Sequence, residues 1–195
     1  GNAATPMAAY VALAAAAPRR FEPGTRWAYS NTNYKALALI AERVSGQPYD
    51  SVLSSLVLRP AGIDGIASCH SLRPDQYVPG VSAEGTPKPL DASAAAYAGD
   101  GGLCASAAAL SKWVRLVLAS REDRFSRLAG PARLVDGTLV PYGFGLSTRE
   151  FLGRAMVWHA GNVDSHSTLI AYLPAEDLGV VVLTSKGFVW LTELL

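Results

Sequence analysis

The sequence predicts an α+β fold, a mainly antiparallel sheet flanked by helices. Three observations carry that expectation. Helical periodicity dominates the first two thirds of the chain, short apolar segments separated by turn residues fill the last third, and half of the 195 residues are apolar. Helices followed by a run of sequential strands is the pattern of an α+β fold, and this much apolar side chain supports a buried core.

The first apolar run, in "MAAYVALAAAAPRR", is too short to span a bilayer, and its arginines follow the run instead of preceding it. It is read as a helix of the fold. After Asn33, the residues Tyr34, Leu37, Ala38, Ala41 and Val44 recur at helical spacing, and Gly46 stands where a helix C-terminal glycine would. That pattern predicts a helix with one buried face. "YDSVLSSLVLRP" predicts a second helix ending before Pro60, because proline holds the preceding residue extended.

From about 66 to 102 the chain is rich in Pro, Gly, Ser and Asp and has little periodicity, so it reads as a long loop of the kind that walls a site. Asp100, ahead of Gly101 and Gly102, reads as a turn residue. Ser106, or the residue before it, is placed to cap a following amphipathic helix in which Leu110, Trp113, Val114 and Val117 share a face. "YGFGLS", "RAMVWHAG", "STLIAYLP" and "LGVVVLTS" then read as strands. The continuous apolar run of the last predicts a strand covered on both faces, whereas Leu169, Ala171 and Leu173 alternate with Thr168, Ile170 and Tyr172. No internal repeat and no second domain boundary is visible. The chain reads as a single incomplete domain, with a helical and loop part to about 135 and a sheet part from about 136.

A formal net charge of +1, without runs of like charge, leaves no electrostatic footprint for nucleic acid or an anionic membrane. A small molecule is the expected partner. The two cysteines, Cys69 and Cys104, match no zinc or redox spacing, and the reading favours two isolated or buried thiols over a bridge. His159, Asp164 and His166 lie close together, but no ligand stands at helical spacing with them, so no metal and no cofactor is expected. Trp158 and Tyr142 are assigned to core packing.

The stretch "FEPGTRWAYSNTNYKALALIAERVSG" sets a phenol, a hydroxyl and a carboxamide side by side at a helix start. Alone, Tyr29-Ser30-Asn31 is a weak signal, since Ser and Asn in a turn commonly bond to local backbone. Together with "DGGLCASAAALSKWVRLVL", "DGTLVPYGFGL" and "VWHAGNVDSHSTLIAYLPAEDLGVVVLTS", in that order, it resembles the penicillin-recognising serine hydrolases: class C β-lactamases, D,D-peptidases and β-lactamase-related esterases. The resemblance implies a β-lactamase/transpeptidase-like fold and acyl transfer through a serine ester. By it, Tyr29 corresponds to the general-base tyrosine, and Asn31 directs its amide to the acyl side chain of the substrate. His159, in His159-Ala160-Gly161, stands where class C enzymes carry the lysine of Lys-Thr-Gly. Gly161 leaves room for substrate to lie along the strand as an added strand, and the backbone N–H of Asn162 is one of two oxyanion donors. The tyrosine hydroxyl and the imidazole are expected to converge on one spot.

The family's nucleophile, the serine of Ser-x-x-Lys, has no counterpart. Three residues before Lys35, Lys88, Lys112 and Lys186 stand Thr32, Gly85, Ala109 and Leu183. The expectation is a chain covering the C-terminal part of the fold, with the nucleophile helix missing and no activity alone. His-Ala-Gly in place of Lys-Thr-Gly points to an esterase, D-peptidase or amidase, because the lysine and threonine bind the β-lactam carboxylate. The expected partner is therefore a small ester, amide or peptide. The rival reading is a non-catalytic relative that binds a peptidoglycan-like peptide, or a structural remnant. Family analogy places the protein in the bacterial cell envelope, with the cytoplasm as the alternative.

Overall fold

The computed structural model describes residues 7–89, 98–117 and 128–194, and the chain divides into two compact units. One comprises residues up to Tyr77 together with Leu90–Ala105; the other comprises Val78–Pro89 and Ser106 onward.

The first unit holds α1 (Met7–Ala16), α2 (Asn31–Ser45) and α3 (Tyr49–Leu53), the last continuing as a π-helical turn over Ser54–Leu58. Gly46 ends α2 in the left-handed conformation, φ 68°, and its N–H donates to the Glu42 carbonyl at 2.8 Å. Glycine reaches that conformation without a Cβ penalty, so the predicted stop is the observed one. The buried face of α2 differs from the predicted one. Lys35 and Ala38 are its buried residues, while Leu37 and Val44 are exposed, Val44 at 84%.

Two short strands, β1 (Ile66–Ser68) and β4 (Leu103–Ala105), pair antiparallel across the region read as a loop. Cys69 and Cys104 form a disulfide, with Cα atoms 5.0 Å apart, which corrects the expectation of separate thiols. Spacing could not show this, because the strand pairing brings together residues 35 apart in sequence. Ala67 lies opposite Cys104, and Cys69 N–H donates to the Gly102 carbonyl at 2.8 Å.

The second unit is built on a four-stranded antiparallel sheet ordered β10-β9-β8-β7, from β7 (Ser147–Phe151), β8 (Arg154–Val163), β9 (His166–Leu173) and β10 (Leu178–Thr184). Short ribbons β2 (Gly80–Val81) with β3 (Pro87–Lys88), and β5 (Ala132–Arg133) with β6 (Leu139–Val140), accompany it. One sheet face packs on α4 (Ala107–Val117) through Val114, Leu146, Val157 and Tyr172, joined by Trp113 and Ile170. Ser106 caps α4, its Oγ accepting from Ala109 N–H at 3.1 Å; the Val117 side chain lies outside the described residues. The other face carries Met156, Ala171 and Leu173 with Phe151 and Trp158.

The alternation predicted for β9 holds: Leu169 and Ala171 are buried on one face. Two strand expectations are corrected. "YGFGLS" does not form a strand; the chain turns through Gly145 at φ 93° and β7 begins only at Ser147. "LGVVVLT" forms β10, an edge strand with Leu178 exposed, not one covered on both faces. A continuous apolar run identifies a strand but carries no information about its place in the sheet.

Candidate active site

The sequence-predicted residues fall in both units. Tyr29 and Asn31 belong to the first; His159, Gly161 and Asn162 belong to the second.

Ser30 is the N-cap of α2, with an extended backbone at φ −151°, ψ 110°, but its hydroxyl makes no capping bond. The helix start therefore depends on backbone conformation, not on local side-chain bonding. Asn31 opens the helix and is exposed. Tyr29, just before it, is 51% exposed. Its phenol is held above the ordinary value of 10.0, first by burial, then by the Asp100 carboxylate and by Tyr34. The direction is opposite to the one a phenolate base needs, because both a low-dielectric surrounding and a nearby negative charge favour the neutral form.

One turn into α2, Lys35 is 8% exposed and its Nζ lies 2.6 Å from Asp100 Oδ2. The ammonium also sits 5.0 Å from the centroid of the Tyr10 ring. Gly99 makes this pair geometrically possible. At φ 104°, it passes so close to α2 that an added Cβ would lie 2.3 Å from the Tyr34 carbonyl oxygen. Asp100 is thus a turn residue, as read, and also half of a buried ion pair, which the sequence reading missed. The available signal was a lysine beside Tyr34 on a helix face and a lone acid enclosed by glycines.

In the sheet unit, β7 pairs with β8 only as far as Ser147 opposite Trp158. β9 continues along the other side of β8 to His166 opposite Val163. From His159 to Val163, therefore, β8 has no strand of the sheet on its β7 side among the described residues. His159 and Gly161 share the face of Val157, while Trp158 and Asn162 point to the opposite face. An alanine at Gly161 would place its Cβ 2.9 Å from Thr168 Oγ1, so the β-branched threonine would have to shift to admit it.

His159 Nε2 lies 3.3 Å from Tyr142 OH, with ring centroids 6.2 Å apart and planes at 67°. Burial pushes the imidazole below its ordinary value, a backbone hydrogen bond at Ala160 opposing in part. The ring is thereby favoured in its neutral form, with one donor and one acceptor nitrogen. Tyr142 was assigned to packing; the signal for its second role was its position between Pro141 and Gly143, which fixes the backbone just ahead of the strand. On Asn162 the buried Oδ1 has no hydrogen-bond partner among the described residues.

Ser165 and His166, in the β8–β9 turn, are structural. Ser165 Oγ and His166 Nδ1 lie 2.8 Å apart, and His166 Nε2 lies 2.9 Å from the Val78 carbonyl oxygen. This contact ties the turn to the segment before β2, whose first residue, Gly80, leaves no room for a Cβ beside the Ser165 backbone.

Residues 1–189 match the Beta-lactamase family. A D-aminopeptidase of Brucella anthropi is 31% identical over 145 residues, which are 72% of this chain and 28% of that protein. A D-aminopeptidase of Gluconobacter oxydans is 28% identical, over 84% of this chain and 32% of its own length. The chain therefore spans about three tenths of these relatives. Among solved structures, the octameric penicillin-binding protein homologue from Pyrococcus abyssi superposes with a TM-score of 0.75 at 25% identity, covering 95% of this chain and 45% of that one. The D-amino acid amidase from Ochrobactrum anthropi SV3 gives a TM-score of 0.73 at 19% identity, over 96% of this chain and 64% of the amidase. The fold is that of β-lactamases and transpeptidases, and the chain belongs to the beta-lactamase family.

Proposed function

We propose that this chain carries the proton-transfer residues and the substrate-binding strand edge of a serine hydrolase that cleaves an amide, ester or peptide at a D-configured amino acid. The observation that carries the reading is the edge of β8 from His159 to Val163, left open on the β7 side and beginning at an imidazole held neutral by burial. An extended substrate can add to such an edge, its main chain bonding to the strand while its side chains alternate. The D-aminopeptidase names of the relatives supply the substrate class.

In this reading Tyr29 shuttles the proton of the attacking hydroxyl, and His159 donates to the substrate. Asn31 binds the acyl side chain, Gly161 lets substrate approach closely, and the N–H of Asn162 stabilises the oxyanion. A phenol with a raised pKa is a poor resting base. Tyr29 therefore requires a cation beside its oxygen when the reaction begins, the role a Ser-x-x-Lys lysine plays. No such motif occurs in these residues. The disulfide supports an oxidising compartment and so the cell envelope.

Two measurements on the purified chain test this. A fluorophosphonate probe is expected to leave it unlabelled; covalent labelling means that a serine here is nucleophilic and the assigned division of labour is wrong. Titration with D-phenylalaninamide, followed by backbone amide NMR, is expected to shift residues 159–163 more than the L-enantiomer does. Shifts confined to other residues would remove the strand edge from the proposal. An open strand edge would serve equally a peptide-binding relative without turnover. An in-frame Ser-x-x-Lys upstream in the coding sequence decides for the hydrolase, and its absence there for the binder.

A further inference from the structure

The geometry points to Tyr142 as a positioning residue for His159: its phenol donates to Nε2, fixes the ring plane and holds the imidazole proton on Nδ1. This inference rests on the reading of His159 as a functional residue, but its test does not depend on turnover.

Tyr142 is built to stay in place. It is 7% exposed. Its backbone N–H donates to the Val140 carbonyl at 2.7 Å, its carbonyl accepts from Ala132 N–H at 3.0 Å, and it forms a bridge with Ser147 at the start of β7. The next residue, Gly143, lies so close to the neighbouring backbone that a Cβ would come 2.4 Å from the Gly130 carbonyl oxygen. A tyrosine pinned on both sides presents its hydroxyl at a fixed point, and that point is 3.3 Å from His159 Nε2.

The direction of the bond follows from the chemistry of the two groups. A tyrosine side chain is a phenol at neutral pH and has a proton to give. A neutral imidazole has one acceptor nitrogen, and burial favours the neutral ring here. With Nε2 accepting from Tyr142, the proton of the neutral ring stands on Nδ1.

Along β8 on the same face stand Val157 and Gly161, and across β9 stands Ile170, flanked by Thr168 and Tyr172. The Tyr172 phenol donates to Asp177 Oδ1 at 2.8 Å. Tyr142 and Tyr172 are titratable groups on this face, which also packs on α4. The consequence for the site is that His159 meets substrate in one orientation and one tautomer, without a search among ring flips.

The test is long-range proton–nitrogen NMR of the histidine side chains in the unmodified chain and in Tyr142→Phe, with His70→Gln, His159→Gln and His166→Gln to assign the signals. In the unmodified chain His159 is expected to show a protonated Nδ1 and a bare Nε2. In Tyr142→Phe that preference is expected to be lost, and the midpoint of His159 titration to move up, because a bond to the neutral form has been removed. A protonated Nε2 in the unmodified chain overturns the proposal, whether or not the variant folds. An unchanged tautomer and midpoint in a folded Tyr142→Phe also overturns it, since packing alone would leave both as they are. Failure of the substrate reading would appear separately, in the D-phenylalaninamide titration.

Discussion

At the scale of single residues, the Lys35–Asp100 pair is the most consequential feature of the first unit. Both side chains are nearly buried, 10% and 12% exposed, and 2.6 Å apart. Charges at this depth are tolerated when paired; removing one partner leaves the other desolvated without compensation. Lys35→Met is therefore expected to destabilise the chain by about 3–5 kcal/mol, and Lys35→Met with Asp100→Asn by much less. Urea denaturation of the two variants measures this; a single variant as stable as the double would mean the pair does not interact. Asp100 also raises the Tyr29 pKa, so Asp100→Asn should bring the tyrosine titration downward. The ion pair thus couples α2 to the protonation of the proposed base. It was missed because periodicity marks apolar faces, and a lysine inside such a face is counted as solvent-directed.

At the scale of elements, the disulfide closes the region that holds Asp100. It joins β4, directly after Gly102, to the turn after β1, and the Cys69 N–H bond to Gly102 continues the same connection. Cross-linking residues 35 apart restricts the unfolded chain. On loop-closure grounds, Cys69→Ser with Cys104→Ser is expected to lower stability by about 4 kcal/mol. Thermal denaturation of the variant, compared with the oxidised chain, checks it; equal melting would mean that the ribbon holds without the bond. Elements whose signal is local were read correctly: the Gly46 stop of α2, the Ser106 cap of α4, the alternation of Leu169 and Ala171 in β9. Those set by partners distant in sequence were not. The β1–β4 pairing, the late start of β7 and the edge position of β10 depend on which strands meet, and no local pattern encodes that.

At the scale of the whole molecule, the same limit explains the burial of α2. The spacing of Tyr34, Leu37, Ala38, Ala41 and Val44 marks a helix with an apolar stripe, but a stripe marks potential burial, not burial achieved. Leu37 and Ile40 are each 55% exposed, and Val44 more so. These residues, at i, i+3 and i+7, form a ridge along one side of the helix. On the sheet unit Leu178 and Trp190 are likewise exposed. Apolar side chains grouped in this way favour contact with another surface over contact with water. The purified chain is therefore expected to self-associate with rising concentration, as measured by light scattering after size exclusion. Leu37→Lys with Val44→Glu should reduce that association without unfolding the helix, because both positions face solvent and both replacements are good helix formers. A chain that stays monomeric at all concentrations would show that the α2 ridge drives no assembly. Association unaffected by the double substitution would move the contact to another surface, with the exposed edge strand β10 as the next position to substitute.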